Sequence, residues 1–150
     1  MKLLIQRVKE ASVTIDGALY SSINKGLLVF VGIQSDDTEE DAKWLVGKLL
    51  KMRIFDDSEG VMNCSVMDVE GDVLVVSQFT LQASTKKGNR PSYIKAAPAA
   101  FSEPMYEFFA KAIEAEFGKN VERGKFGADM KVALINDGPV TIIMDSKNKE

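Results

Sequence analysis

The sequence contains no histidine. That absence removes the Ser-His-Asp triad, the Cys-His pair, the imidazole general base and the histidine metal sites together. A single cysteine, Cys64, excludes a disulfide framework and a thiolate metal cluster, and reads as a buried structural thiol. No apolar run is long enough to cross a bilayer, and the opening MKLLIQRV is too short for a signal peptide. A dominant charge is missing as well: 19 Lys and Arg against 22 Asp and Glu leave a net charge of −3. With no broad basic footprint, any nucleic-acid contact is expected to be local. The expectation is a cytoplasmic protein with no membrane segment, no metal and no cofactor. If it is an enzyme, it works with carboxylates, hydroxyls, backbone groups or the substrate's own atoms.

What is present fits one domain over residues 1–150, since 45% hydrophobic content in a chain of this length supports a single core. LLIQRVKEASVTI, Asp16-Gly17 and ALYSSI read as strand, tight turn and strand. The continuous apolar run GLLVFVGI predicts a strand buried on both faces. Thr38 and Asp41 form a capping box ahead of a helix whose core face carries Ala42, Leu45, Val46 and Leu49. The acids from Asp36 to Asp41 suit that helix start better than a metal site. Asp72 to Leu81 predicts a clean strand. Met105, Phe108, Phe109, Ala112, Ile113 and Phe117 mark a second helix, with Ser102 as its N-cap and Gly118 as its stop. MKVALI and VTIIM predict a closing pair of strands, and DSKNKE a frayed tail. The fold class is mixed α/β, with several strands and two main helices.

Three stretches are candidates for chemistry. In TKKGNRPSY, Lys86, Lys87 and Arg90 cluster beside Tyr93, a local basic patch able to hold phosphates next to a ring able to stack on a base. The same residues also make an ordinary solvated loop. SQFT places Ser77, Gln78, Phe79 and Thr80 where a buried strand emerges; they either line a site or simply end the strand. As a nucleophile, Thr80 needs a base other than histidine. In NDGPVT, Asp137-Gly138 is a favoured hairpin turn with Pro139 opening an edge strand. The alternative is a cis Gly-Pro bond whose glycine lets backbone approach a ligand.

Taken together, SQFTL and NDGPVT tie the chain to a family. With QRVKEASVTIDG, GLLVFVGI, MRIFDDSEGVMN, GNRPS and FGADMKV, they make it resemble the D-aminoacyl-tRNA deacylases, also called D-tyrosyl-tRNA deacylases, over almost its whole length. The resemblance implies a homodimer of β-barrel-like subunits with an antiparallel or mixed sheet. It implies hydrolysis of the ester between a D-amino acid and the 3′ end of tRNA. Gly138 and Pro139 would then be a cis pair entering the partner subunit's active site, with Arg7 fixing its orientation. Ser77, Gln78, Phe79 and Thr80 would line the facing pocket, and Lys86, Lys87 and Arg90 would meet tRNA.

Such a reaction needs no histidine. Backbone N–H groups around Ser77, Phe79 and Thr80 can stabilise the oxyanion while the ribose 2′-hydroxyl orients or activates water. A rigid Gly138-Pro139 backbone beside the α-carbon would exclude an L-side chain, and glycine would pass, so glycyl-tRNA is expected to be a substrate too. The competing readings are an acyl-enzyme on Thr80 and a non-catalytic tRNA-binding module.

Overall fold

The computed structural model describes residues 1–150, in the order β1 (Lys2–Ile15), β2 (Ala18–Ile23), β3 (Gly26–Gly32), α1 (Glu39–Lys51), β4 (Phe55–Asp56), β5 (Met62–Cys64), β6 (Asp72–Ser77), α2 (Ala99–Phe117), β7 (Glu122–Arg123) and β8 (Lys131–Asp145). Strand β1 organises the sheet. One of its edges pairs antiparallel with β3 through Lys2–Val8 and then with β2 through Ala11–Ile15. The opposite edge pairs with β8 from Lys2 to Thr14. Asp16 (φ 50°) and Gly17 (φ 77°) supply the two positive φ angles that a two-residue hairpin of this twist requires.

β3 continues the sheet by pairing parallel with β6, and β6 with β7. Parallel neighbours need crossover connections, which explains where the helices lie. α1 falls between β3 and β6, and α2 between β6 and β7. A small β4–β5 hairpin follows α1. At the far side Ser21 of β2 donates its hydroxyl to the Arg123 carbonyl of β7 at 2.8 Å, which nearly closes the sheet into a barrel.

Side-chain alternation sets the two cores. Leu27, Val29 and Val31 of β3 pack with Leu3 and Ile5 of β1 against α1 and α2, joined by Leu45, Leu49, Phe109 and Ile113. Leu28 points the other way, into a smaller core with Val8, Leu74 and Val76. Ala11 and Val13 of β1 join that inner core although they share parity with Leu3 and Ile5. The irregularity between Val8 and Glu10 accounts for the switch, because one extra residue turns every later side chain over.

α1 begins with the capping box, the Thr38 hydroxyl accepting from the Asp41 N–H and the Asp41 carboxylate from the Thr38 N–H. Burial works to raise the Asp41 pKa, but hydrogen bonds from Lys147 and Thr38 outweigh it and hold the carboxyl well below its usual range.

Four expectations are corrected. β6 stops at Ser77, and Phe79–Gln82 forms a 3-10 turn, because the chain must leave the sheet beyond the end of β3. α2 starts at Ala99 after Pro98; Ser102 lies in its first turn and donates to the Pro98 carbonyl at 3.1 Å. Proline presets the φ of that helix entry, so no side-chain cap is required. MKVALI and VTIIM are two halves of one strand, β8, rather than a hairpin. The tail is docked: Ser146 is buried, and Lys147 donates to the Asp36 carbonyl and the Asp41 carboxylate, each at 3.0 Å.

Candidate functional site

The sequence NDGPVT forms a bulge in the middle of β8. Gln6 of β1 faces Thr141 and Val8 faces Asn136, so the four residues Asp137–Val140 stand opposite the single residue Arg7. The surplus backbone must loop out of the sheet, and Gly138 and Pro139 are exposed. The Gly138-Pro139 peptide bond is cis. Asn136 closes the neck of the bulge: its Oδ1 accepts from the Val140 N–H at 2.8 Å, and its Nδ2 donates to the Val140 carbonyl at 3.1 Å. Its amide thus does what a neighbouring backbone unit would do. Thr141 Oγ1 adds contacts from Asn136 at 3.1 Å and from Gln6 at 3.3 Å.

Arg7 braces the bulge from below. Although almost fully buried, it donates Nε to the Asp137 carbonyl at 2.8 Å and Nη1 to the Ile54 carbonyl at 2.7 Å. Asp56 at 3.6 Å and Asp137 at 4.0 Å supply opposite charge. The planar guanidinium spans two fixed carbonyls on different elements, and so ties the bulge to the segment leading into β4.

Ser77, Gln78 and Phe79 help wall a separate cavity of about 460 Å³. Its opposite wall is the β7–β8 connection, with Phe126, Gly127, Ala128, Asp129 and Met130, so SQF and FGADM meet across it. The Tyr106 hydroxyl lies 3.0 Å from the Val75 carbonyl and 3.1 Å from the Gly124 carbonyl, which fixes the start of one wall to the strand beneath the other. Burial pushes the Tyr106 pKa far up, so this hydroxyl stays protonated as a structural donor.

Three successive carbonyls at the end of β3 hold the cavity's rim. Val31 accepts from the Gln78 N–H at 2.8 Å, Gly32 from Gln82 Nε2 at 2.8 Å, and Ile33 from the Ala97 N–H at 2.9 Å. Gly32 permits this closeness, since a Cβ there would lie 2.8 Å from Leu81 Cβ and 3.0 Å from the Gln78 carbonyl oxygen. The hydrogen bonds of the 3-10 turn begin at Leu81, whose N–H reaches the Gln78 carbonyl. The Phe79 and Thr80 amides precede it and have no side-chain cap. Gln78 Nε2 donates to Thr80 Oγ1, and no carboxylate or amine bonds to that hydroxyl.

The predicted residues therefore fall into separate groups. Arg7, Gly138 and Pro139 come together, as do Ser77, Gln78 and Phe79 on the cavity wall, whereas Thr80, bonded to the Gln78 side chain, is not part of that wall. One chain does not join the two groups. Arg7 is level with Leu27 of β3, whereas Ser77 is level with Val31, four residues or about 13 Å further along the strand. Gly138 and Pro139 are absent from the cavity wall. Lys86, Lys87 and Arg90 lie on an exposed loop closed by mutual hydrogen bonds between the Ser84 and Ser92 backbones, at 2.8 and 2.9 Å. Sequence reasoning missed Asn136, Gly32 and Gln82. Only Asn136 carried a local signal, as an Asn able to bond backbone a few residues on.

The family model for D-Tyr-tRNA(Tyr) deacylase matches residues 4–145. The chain belongs to that family. Over all 150 residues of both chains it is 66% identical to a D-aminoacyl-tRNA deacylase of Flavobacterium johnsoniae and 59% identical to one of Bacteroides fragilis. Among solved structures it is similar to a c-Myc DNA unwinding element binding protein, with TM-score 0.93 and 41% identity over 97% of this chain and 98% of that one. A probable eukaryotic D-amino acid tRNA deacylase shares the fold, with TM-score 0.83 and 20% identity over 95% of this chain and 97% of that one. No helix of this family member is long and apolar enough to cross a membrane.

Proposed function

We propose that this deacylase-family chain works as a homodimer that hydrolyses the ester joining a D-amino acid to the terminal adenosine of tRNA. The observation that carries the reading is the braced Gly138-Pro139 bulge, exposed and remote from the cavity of its own chain. A second copy gives it somewhere to go. β8 also has exposed Ile135 and Ile143 on a 15-residue strand, a hazard in a monomer that a partner would cover.

In this reading the cavity beside Ser77 and Phe79 takes the adenosine, and the aminoacyl group reaches the partner's bulge. The carbonyls of Gly138 and Pro139 accept from the α-ammonium group and leave no room for an L-side chain. Water attacks the ester carbonyl carbon, and the carbonyl oxygen takes the π-electron pair and becomes an oxyanion facing the Phe79 and Thr80 N–H groups. The carbon–oxygen bond to the ribose then breaks, and the ribose oxygen receives the proton given up by water. The neighbouring 2′-hydroxyl orients that water, so no titrating side chain is needed. Glycine, lacking a side chain, passes the same gauge.

Against a covalent route through Thr80 stands the Gln78 amide at its hydroxyl, a partner that cannot take a proton. A non-catalytic nucleic-acid module has one observation in its favour, the similarity to a c-Myc DNA unwinding element binding protein at 41% identity. Matched D-tyrosyl-, L-tyrosyl- and glycyl-tRNA, assayed for released amino acid, separate these readings. The expected result is release from the D- and glycyl-substrates, with Thr80→Val within about threefold of the parent. Binding without release supports the module, and a loss of roughly four decades in Thr80→Val supports the acyl-enzyme.

A further inference from the structure

From Val73 to Ser102 the chain has no acidic residue, yet it carries Lys86, Lys87, Arg90 and Lys95. The whole chain is −3 and this stretch +4, so the remainder carries −7. None of these four cations forms an ion pair, and all are exposed. Beside them Tyr93 meets Phe79 edge to face, with ring centroids 5.2 Å apart and planes at 71°. Phe79 is 55% exposed and Tyr93 39%. In such a pair the ring that offers its edge keeps both faces clear of the contact. Phe79 also walls the cavity, whereas Tyr93 does not, so Phe79 separates the cavity from the basic loop.

We propose that Tyr93, supported by Phe79 and the four cations, is a stacking subsite for the unpaired nucleotide just before the terminal adenosine of tRNA. The inference rests on the deacylase reading and extends it from the ester to the single-stranded 3′ end. Two features favour an RNA strand over a protein partner. Exposed aromatic rings stack on any base face, and an unpaired cationic loop follows a phosphate backbone. A second copy of an acidic chain would also find charge here, and its oligomeric mass distinguishes that outcome from an RNA strand. Phe79 thus serves both compartments: one side closes on the adenosine, and the other steadies the ring that holds the preceding base.

The test compares D-tyrosyl-tRNA with 3′-O-D-tyrosyl-adenosine, which keeps the ester and the terminal nucleoside but lacks the preceding base. Tyr93→Ala is expected to lose about 10- to 100-fold more kcat/KM on the tRNA than on the adenosine ester. Tyr93→Trp restores the tRNA activity and Tyr93→Leu does not, because stacking needs a ring rather than apolar bulk. Equal losses on both substrates overturn the subsite, as does full rescue by leucine. A change in the oligomeric mass of Tyr93→Ala makes the patch an interface between copies and also overturns it. If the parent protein cleaves neither substrate, the deacylase reading itself falls, a result distinct from all of these.

Discussion

Gly138→Ala is expected to lower kcat/KM on D-tyrosyl-tRNA by about 10²- to 10³-fold, the scale on which an ångström of misplacement acts. Gly138 has φ 149°, a conformation L-residues rarely adopt. A Cβ there would lie 2.7 Å from Val140 N, 2.8 Å from Val140 Cγ2 and 3.3 Å from Arg7 Nη2. The Val140 N–H is already bonded to Asn136 at the neck, so relief has to come from displacing the bulge itself. Because the bulge is exposed, the thermodynamic cost is confined to local strain of about 1–2 kcal/mol. For a chain of this size that corresponds to a fall of about 2–8 °C in Tm. Steady-state kinetics beside calorimetry separate the two effects. Selectivity is expected to change as well: if the bulge is the proposed gauge, displacing it admits L-side chains and lowers the ratio of D- to L-tyrosyl-tRNA cleavage. Unchanged kinetics with a lowered Tm would leave Gly138 a purely structural glycine.

Arg7→Ala is expected to damage stability and activity together. Its two carbonyl partners lose charged donors while Asp56 and Asp137 lose their nearby cation. Hydrogen bonds to a charged group contribute about 1.5–3 kcal/mol each, which gives a loss of about 3–6 kcal/mol for the pair. Asp56 is 56% exposed, so its ion pair adds little. Tm should therefore fall by about 6–24 °C. Arg7→Lys is the informative companion, because it keeps the charge but cannot span the Asp137 and Ile54 carbonyls with one planar group. It is expected to recover much of the stability while kcat/KM stays at least about tenfold below the parent. Full kinetic recovery in Arg7→Lys would reduce the role of Arg7 to charge alone.

Much of the fold was readable where local rules and burial agree. The Asp16-Gly17 hairpin, the doubly buried β3 and the capping box on α1 each follow from a few adjacent residues. The sheet order was not readable, because the β3–β6 parallel pairing depends on contacts between residues more than forty positions apart. NDGPVT shows why local pattern failed. Asp-Gly usually reverses a chain, but here β1 runs past both flanks, and pairing along its whole length keeps β8 in one direction. The end of β6 was misplaced because Phe79, Thr80 and Leu81 alternate apolar and polar as a strand does, while Gly32 and the end of β3 make the chain turn at Phe79. Arg7 carried no pattern of its own, and only the family resemblance linked it to Gly138.

The most direct test is to mix subunits. Gly138→Ala disables the bulge, and Phe79→Pro disables the pocket by removing both the ring on its wall and one amide proposed to face the oxyanion. Each variant alone is expected to be nearly inactive on D-tyrosyl-tRNA. If each site takes its bulge from one subunit and its pocket from the other, a mixed dimer contains one site built from the two undamaged parts. Random exchange makes half the dimers mixed, each with one of two sites intact, so activity should return to about a quarter of the parent level. If bulge and pocket of the same chain work together, every site in the mixture keeps a defect, and a mixture as inactive as its components would contradict the account.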